Sequence, residues 1–452
     1  MTDEEFAAEP NLKRRDRGYF MDLHNTTEAE VFEGFLNCLK WIKEKMNNPK
    51  IFIGENGFPE EDGIDESEKK IAYHTGILNK LLEALDENIN VFGYCVWSFL
   101  DTLEFNFGYW KRFGIYAVDF NDESRPPESF VSTKQFPENF LLGTTTGAFQ
   151  VERAFNEDLP ESVIKKHIQK GVKPRLSDLY KGMGVYEFPS SAINDGTHFY
   201  FNGDIAADTY HKTDIDVKLL KELGVQVYRF SIAPTRIIPR VHDNTPGKEG
   251  IAYYNKLIDK LIENGITPMA SLYHFDVGEC FNKIGGLSNP VSYKFYPNFS
   301  RICFENFGDR VKHWSTTADI HLATEGYSSE HFAPGYQESI FSGFLEYEAI
   351  HNSMITQSLM WKVYNEEFKE KQKGEVSLTI DGVWYYPKDP NNPEHQKCAE
   401  SARMSTFGLI AHILSTGQYP DEFLEAIDKS NKREKIRVDR ARQFTQKEQE
   451  LI

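Results

Sequence analysis

Apolar positions along the chain fall into short β-rich runs that alternate with helical stretches. Residues 213–223 (TDIDVKLLKEL) open on Thr213 and Asp214, repeat apolar side chains at Ile215, Leu219, Leu220 and Leu223, and stop at Gly224. That is the pattern of an amphipathic helix with a cap at each end. VQVYRFSI (225–232) follows as a strand. The unit then recurs. YYNKLIDKLIEN carries Tyr254, Leu257, Ile258, Leu261 and Ile262 on one face, ends before Gly265, and leads into the strand ITPMASLYH. A helix around Phe304–Phe307 leads into VKHWSTT, and a long helix near 345–370 leads into EVSLTID. Upstream, KIFIGENG precedes a helix with Ile71, Ile77, Leu78, Leu81, Leu82 and Leu85, and NVFGYCVWSF comes after it. Strand and helix alternating this regularly predict an α/β fold with a parallel sheet covered by helices. Roughly seven such units predict a closed β/α barrel in preference to an open, doubly wound sheet.

Composition narrows the classes. A chain of 452 residues is long enough for three average domains or for one barrel with decorated loops. Lys plus Arg is 51 against 69 for Asp plus Glu, a formal charge of −18. Such an acidic balance suits no phosphate backbone, so no nucleic-acid partner is expected. A hydrophobic content of 40% supports a large core. No run approaches the ~18 apolar residues of a membrane span, and MTDEEFAAEPNLKRRDRGYF lacks the apolar centre of a signal peptide. Cys38, Cys95, Cys280, Cys303 and Cys398 are too scattered for a disulfide framework or a CxxC metal site. No G-x-G-x-x-G or P-loop opens a helix, which weighs against a nucleotide cofactor. Two N-x-S/T triplets, at Asn25 and Asn298, are candidate glycosylation acceptors and leave the compartment open. The mixed-charge runs 366–375 and 428–443 read as solvated helix faces and loops.

In a β/α barrel the chemistry gathers at the C-terminal ends of the strands. The polar residues at those ends are Glu55 after IFIG, Glu104 after WSFLDTL, Gln150 after GTTTGAF, Arg229 in VYRFS, His274 closing ASLYH and Asp319 after HWSTTA. Carboxylates, amides and aromatic rings converging on one mouth suit a sugar. Carboxylates and amides grip vicinal hydroxyls, an aromatic face stacks on the ring, and a pair of carboxylates can run glycoside hydrolysis.

At these residues the sequence resembles glycoside hydrolase family 1, the β-glucosidase, lactase and myrosinase family. IFIGENG is similar to the family's nucleophile strand, with its T-E-N-G core. GYCVWSFLDTLEFNFGYWKRFGIYAVDF resembles its GYF-WSLLDNFEW-GY-RFG-YVDF segment. FPENFLLGTTTGAFQVERAFNED resembles the opening strand, DTYHKTDIDVKLLKELGVQVYRFSIAPTRIIP the second and LYHFD the third. The resemblance implies a (β/α)8 TIM barrel with the parts in an unusual order. In the family FPENFL opens the domain and ENG comes near its end, whereas here ENG stands at 54–57 and FPENFL begins at 136. Residues 1–130 therefore resemble the C-terminal part of one barrel (strands 7 and 8) and 131–452 the N-terminal part (strands 1 to 5). The seam, NDESRPPESFVSTKQ (121–135), has linker composition. Circular permutation and a slice across two tandem domains both fit this order. The family's sixth-strand motif, D-F-x-G-x-N-Y-Y, is absent. RGYFMDL (17–23) is a makeshift strand at best, so the slice, or an incomplete gene model, is the favoured history.

The resemblance implies roles residue by residue. Glu55 matches the nucleophile that attacks the anomeric carbon, with Gly54 where the family has Thr. Asp319 matches the acid/base, but Thr316-Thr317-Ala318-Asp319-Ile320 departs from T-[FIL]-N-E-P. Asp for Glu retracts the acid by about 1–1.5 Å, a misplacement worth roughly 10²-fold, and Ala318 removes the amide that holds the 2-hydroxyl. Gln150 matches the amide for the 3- and 4-hydroxyls, His274 the histidine on the 3-hydroxyl, and Arg229 the arginine that keeps the nucleophile ionised. Trp97 matches the stacking platform and Glu104 the carboxylate on the 4- and 6-hydroxyls. Phe105, Phe275 and Pro234 replace family tryptophans; Phe stacks but donates no indole N–H. The tyrosine of the missing strand, which hydrogen-bonds the nucleophile, is lost with it.

The expected function is a retaining β-glycosidase of β-glucosidase type acting on a small β-glycoside, with impaired acid/base catalysis and no metal or organic cofactor. Two alternatives stand beside it: a weak or inactive glycan-binding protein, and a thioglucosidase-like enzyme confined to good leaving groups. The resemblance favours a secreted or lysosomal setting. Oligomeric state is open.

Overall fold

A computed structural model describes residues 27–61, 66–104, 111–120, 136–152, 188–189, 200–201, 206–239, 245–275, 281, 284–317, 320, 326–328 and 343–452. The main strands are β1 (Ile51–Ile53), β2 (Val91–Trp97), β3 (Leu141–Thr146), β4 (Val227–Ser231), β5 (Thr267–Ser271), β6 (His313–Ser315) and β7 (Glu375–Ser377). The longer helices are α1 (Glu28–Lys45), α2 (Ser67–Asp86), α3 (Thr209–Leu223), α4 (Lys248–Glu263), α5 (Ser292–Phe307), α6 (Leu345–Val363), α7 (Pro393–Met404), α8 (Phe407–Thr416) and α9 (Asp421–Glu434).

The seven strands form one sheet in chain order, β1 to β7. From β2 to β7 every pairing is parallel, and α3, α4, α5 and α6 lie in the crossovers that join β3 to β7. Register sets Trp97 opposite Thr145 and Thr145 opposite Arg229, so these three side chains share one face of the sheet. The sheet is strongly curled. β4 is its central strand, three places from either edge, which in a flat sheet is ~14 Å at the usual ~4.8 Å per strand. Yet the Arg229 side chain reaches Glu55, just beyond β1, and Thr379, just beyond β7. A side chain that touches both edges from the middle needs those edges brought round toward each other, as in a barrel. The fold is that of a (β/α)8 barrel left incomplete: among the described residues no strand lies between β7 and β1.

Two compact units contain these elements. One is built from Met1–Lys50, Ile71–Val91 and Asp381–Ile436, the other from Ile51–Lys70, Phe92–Ile380 and Arg437–Ile452. Each draws on chain from both sides of residues 121–135. The first is held by α1 against the C-terminal helices. Trp41 meets Phe407 edge-on at 4.9 Å, and the Arg403 guanidinium lies 4.3 Å over the Trp384 ring, within cation–π range. The second unit contains the sheet and the largest apolar core, in which Phe304 of α5 packs against Trp314 of β6, Tyr364 and Phe368.

Several local expectations change. α3 begins at Thr209, a turn before Thr213, whose hydroxyl donates to the Thr209 carbonyl 3.1 Å away. Thr213 thus sits inside the helix, bonding back one turn, and does not cap it. Gly224 and Gly265 do stand at the helix ends with φ of +76°, where glycine carries no steric penalty. Ile71, Ile215 and Ile262, read as core, are 45%, 52% and 43% exposed. Within the run 428–443, Arg440 and Ala441 are buried, so its C-terminal end is not a solvated face. The Asn298 triplet lies within α5 and its Ser300 hydroxyl is buried, donating to the Pro297 carbonyl at 2.9 Å. Cys38, Cys95 and Cys303 are buried and Cys398 is exposed. Asn25, Cys280, residues 17–23 and the seam 121–135 lie outside the described residues. Among those described, no helix is long and apolar enough to cross a membrane.

Phe304 is fully buried and touches three aromatic rings. Replacing it by alanine leaves a cavity beneath β6 and is expected to cost about 3–5 kcal/mol in chemical denaturation. A loss below about 1 kcal/mol would show that this cluster does not support the sheet.

Candidate active site

The residues that follow each strand bring the candidate side chains together. Glu55 stands two residues past β1, Trp97 ends β2, Gln150 lies in the helical turn Ala148–Val151 after β3, Arg229 is within β4 and His274 is three residues past β5. Arg229 is almost fully buried and forms an ion pair through Nη1 with Oε1 of Glu55, whose side chain remains 25% exposed. A permanent cation is thus held out of water while the carboxylate it supports stays open to a ligand. His274 Nδ1 lies 3.7 Å from the same Glu55 oxygen.

Burial pushes the His274 imidazole down to about 4, with the Arg229 charge adding to that and the Glu55 carboxylate opposing it. His274 is therefore neutral near pH 7, with one ring N–H to donate and one lone pair to accept. Its ring stacks on Trp97 at 5.9 Å and 19°. The Trp97 indole N–H in turn donates to Oε1 of Glu104 at 3.0 Å, and Thr102 donates to the same oxygen. Burial pushes the Glu104 carboxyl up to about 7, although these two hydrogen bonds pull the other way. The peptide bond between Trp97 and Ser98 is cis.

Gln150 is fully buried. Its amide N–H donates to the Leu103 carbonyl at 2.9 Å, and the Leu103 N–H donates back to the Gln150 carbonyl at 3.3 Å. The side-chain oxygen Oε1 has no hydrogen-bond partner among the described residues. A buried acceptor left open in this way costs free energy until a ligand fills it. Gly147 lets this amide approach the imidazole. A Cβ on Gly147 would lie 2.7 Å from Cδ2 and 2.9 Å from Nε2 of His274, and closer still to Oε1 of Gln150.

Some contributors carry no sequence signal of their own. Arg229 Nη2 reaches Thr379 Oγ1 at 3.4 Å, Thr379 meets Ser315 Oγ at 2.9 Å, and Ser315 donates to the Thr317 carbonyl at 2.8 Å. This hydroxyl chain runs from the Glu55 ion pair to the residue just before Ala318. Hydroxyl residues at strand ends were the available cue, but only the curl of the sheet shows which of them meet. Phe275, at φ +67°, is buried in the core against Tyr273, and Pro234 is buried at the head of the turn Pro234–Ile237. Asp319, Ala318 and Phe105 lie outside the described residues. Among the described residues no group of three or more His, Cys, Asp or Glu side chains is placed to hold a metal ion.

The profile of Glycosyl hydrolase family 1 matches residues 10–130 and 132–452. The lactase/phlorizin hydrolase of Rattus norvegicus is 31% identical over 445 residues, an alignment that covers 93% of this chain and 22% of that protein. Myrosinase 1 of Brevicoryne brassicae is 34% identical over 318 residues, covering 70% of this chain and 63% of its own length. Among solved structures, an aphid myrosinase matches with a TM-score of 0.59 at 33% identity, over 70% of this chain and 64% of that one. A β-glucosidase from the fungus Humicola insolens in complex with glucose matches with a TM-score of 0.56 at 30% identity, over 68% and 60%. The chain thus spans less than two thirds of each of these relatives. With the family profile matched along nearly its whole length and a curled parallel sheet to go with it, the chain belongs to glycosyl hydrolase family 1.

Proposed function

We propose that this chain is a retaining β-glycosidase acting on β-glucoside-like substrates, with Glu55 as nucleophile and Asp319 as a shortened acid/base. The observation that carries the reading is the Glu55 carboxylate, partly open to solvent and paired with the buried Arg229. Glu55 attacks the anomeric carbon, the glycosidic C–O bond breaks, and Asp319 gives its proton to the departing oxygen. Asp319 then takes a proton from water, which attacks the glycosyl ester and releases Glu55. Gln150 Oε1 accepts from a sugar hydroxyl, neutral His274 binds a neighbouring one, Trp97 and Phe105 line the ring, and Glu104 binds at its far end. No cofactor enters this chemistry. The relatives' printed functions agree with it: lactase/phlorizin hydrolase, myrosinase and cytosolic β-glucosidase.

The order of the parts fits a slice across two tandem barrels, residues 1–130 ending one and 131–452 beginning the next. Two findings support this: the family profile breaks at residue 131, and a single alignment to the rat lactase runs through that break while covering 22% of the larger protein. A second reading, a glycan-binding protein with little turnover, is favoured by two things together: Asp in the sequence at position 319, and an open Gln150 acceptor.

Leaving-group chemistry separates the two. For aryl and alkyl β-glucosides of rising leaving-group pKa, kcat/KM is expected to fall steeply, with alkyl glucosides at least about 10²-fold slower than nitrophenyl ones. Glu55→Gln is expected to remove roughly 10³-fold or more of the nitrophenyl activity. Equal rates across the series would mean that Asp319 is a full-strength acid. No turnover with saturable sugar binding would favour the binding protein.

Glu104 supplies a pH test. Its carboxyl is raised in the folded chain from 4.5 to about 7. The folded state then holds the proton more tightly than the unfolded one. The associated stability is fully present below about 4.5 and is lost as pH rises through about 7. Parent and Glu104→Gln are therefore expected to diverge between pH 5 and 8, the parent losing on the order of 2 kcal/mol relative to the variant. Parallel stability curves would show that Glu104 is not held in a dry environment.

A further inference from the structure

We infer that the buried ion pair between Glu152 and Arg236, which has no place in the proposed chemistry, positions Gln150 and through it the segment that carries Glu104. The inference rests on the sugar-binding reading of that site. Glu152 and Arg236 are 3% and 0% exposed, and Arg236 Nε donates to Glu152 Oε2 at 2.7 Å. Tyr254 donates its hydroxyl to Glu152 Oε1 at 2.9 Å and accepts the Ala233 N–H at 2.8 Å. The guanidinium lies 4.4 Å over the Tyr210 ring and 5.5 Å from that of Tyr253, and the Tyr210 N–H donates to the Glu152 carbonyl at 3.3 Å. The residue after the Gln150 turn is therefore tied to the segment after β4, the start of α3 and the middle of α4.

Two charges buried this completely bring a desolvation cost that apolar residues of the same volume would avoid. A packing role alone gives no reason for them. Their effect is directional, because a carboxylate accepting from both Arg236 and Tyr254 fixes Glu152 in one orientation, two residues from Gln150. The Gln150 turn is further pinned by the Ser231 hydroxyl, which accepts the Ala148 N–H at 2.6 Å. Gln150 then passes the constraint on through its reciprocal hydrogen bonds with Leu103, the residue before Glu104. The open Oε1 of Gln150 is thereby aimed where a sugar hydroxyl can meet it, with no freedom to turn toward another donor. Glu152 and Arg236 act as positioning residues for substrate contacts they do not touch.

The test is a binding cycle on the full chain with the glucose-configured inhibitor glucoimidazole, read by calorimetry beside thermal melting. Glu152→Gln alone strands a buried cation and risks misfolding. The working variant is therefore E152Q/R236M, which removes both charges at similar volume and leaves a thioether to pack on the tyrosine rings. Tyr254→Phe serves as a milder second variant that removes one hydrogen bond to Glu152. The expected result is a loss of affinity of about tenfold for E152Q/R236M and a smaller loss for Tyr254→Phe, both vanishing when Gln150 is already alanine. Unchanged affinity, or an equal loss with and without Gln150, would overturn the inference by reducing the pair to general stability. If Gln150→Ala itself binds glucoimidazole as well as the parent does, the site reading and this inference fall together.

Discussion

A guanidinium held almost entirely out of water organises the mouth of this barrel. Arg229 stands on the central strand, and burying a permanent cation costs several kcal/mol unless it is paired and hydrogen-bonded. Glu55 supplies the opposite charge from one edge of the sheet and Thr379 an acceptor from the other. One residue thereby makes the curl of the sheet and the readiness of the site the same problem. The arrangement also gives the two carboxylates of the site different surroundings. Glu55 stays part-exposed and is ion-paired with Arg229. Glu104 is buried, accepts hydrogen bonds from Trp97 and Thr102, and has its carboxyl pushed up to about 7 by burial.

Much of the fold was legible because β/α alternation is periodic. Leu219, Leu220 and Leu223 marked α3, Gly224 its end, and VYRFS the strand after it, and these elements stand where the pattern put them. Boundaries were less legible where side chains had a second option: Thr213 bonds back into the helix it was expected to cap. Ile71, Ile215 and Ile262 were apolar at helical spacing, but periodicity alone does not tell which apolar positions are covered, and these three are exposed.

The site divides along the same line. Glu55, Arg229, His274, Glu104 and Gln150 could be listed from the strand ends and Trp97 from the family resemblance, and the structure brings them to one end of the sheet. The contacts between them could not be read from the sequence. Thr379 meets Arg229 only because the sheet curls, Glu104 titrates near neutrality only because it is dry, and Glu152 finds Arg236 across 84 positions of chain. Nothing in the sequence marked Gly147, yet the fold sets an imidazole and an amide within reach of any Cβ placed there.

The central claim is that Glu55, held by Arg229, is a working nucleophile even where proton donation is weak. The most direct measurement is incubation of the chain with an activated 2-deoxy-2-fluoro-β-glucoside, followed by intact mass and peptide mapping. The account predicts one fluoroglucosyl group per chain, esterified to Glu55 and discharged slowly, since a good leaving group makes this step independent of Asp319. A label on any other residue, or none at all when saturable sugar binding is present, would contradict it.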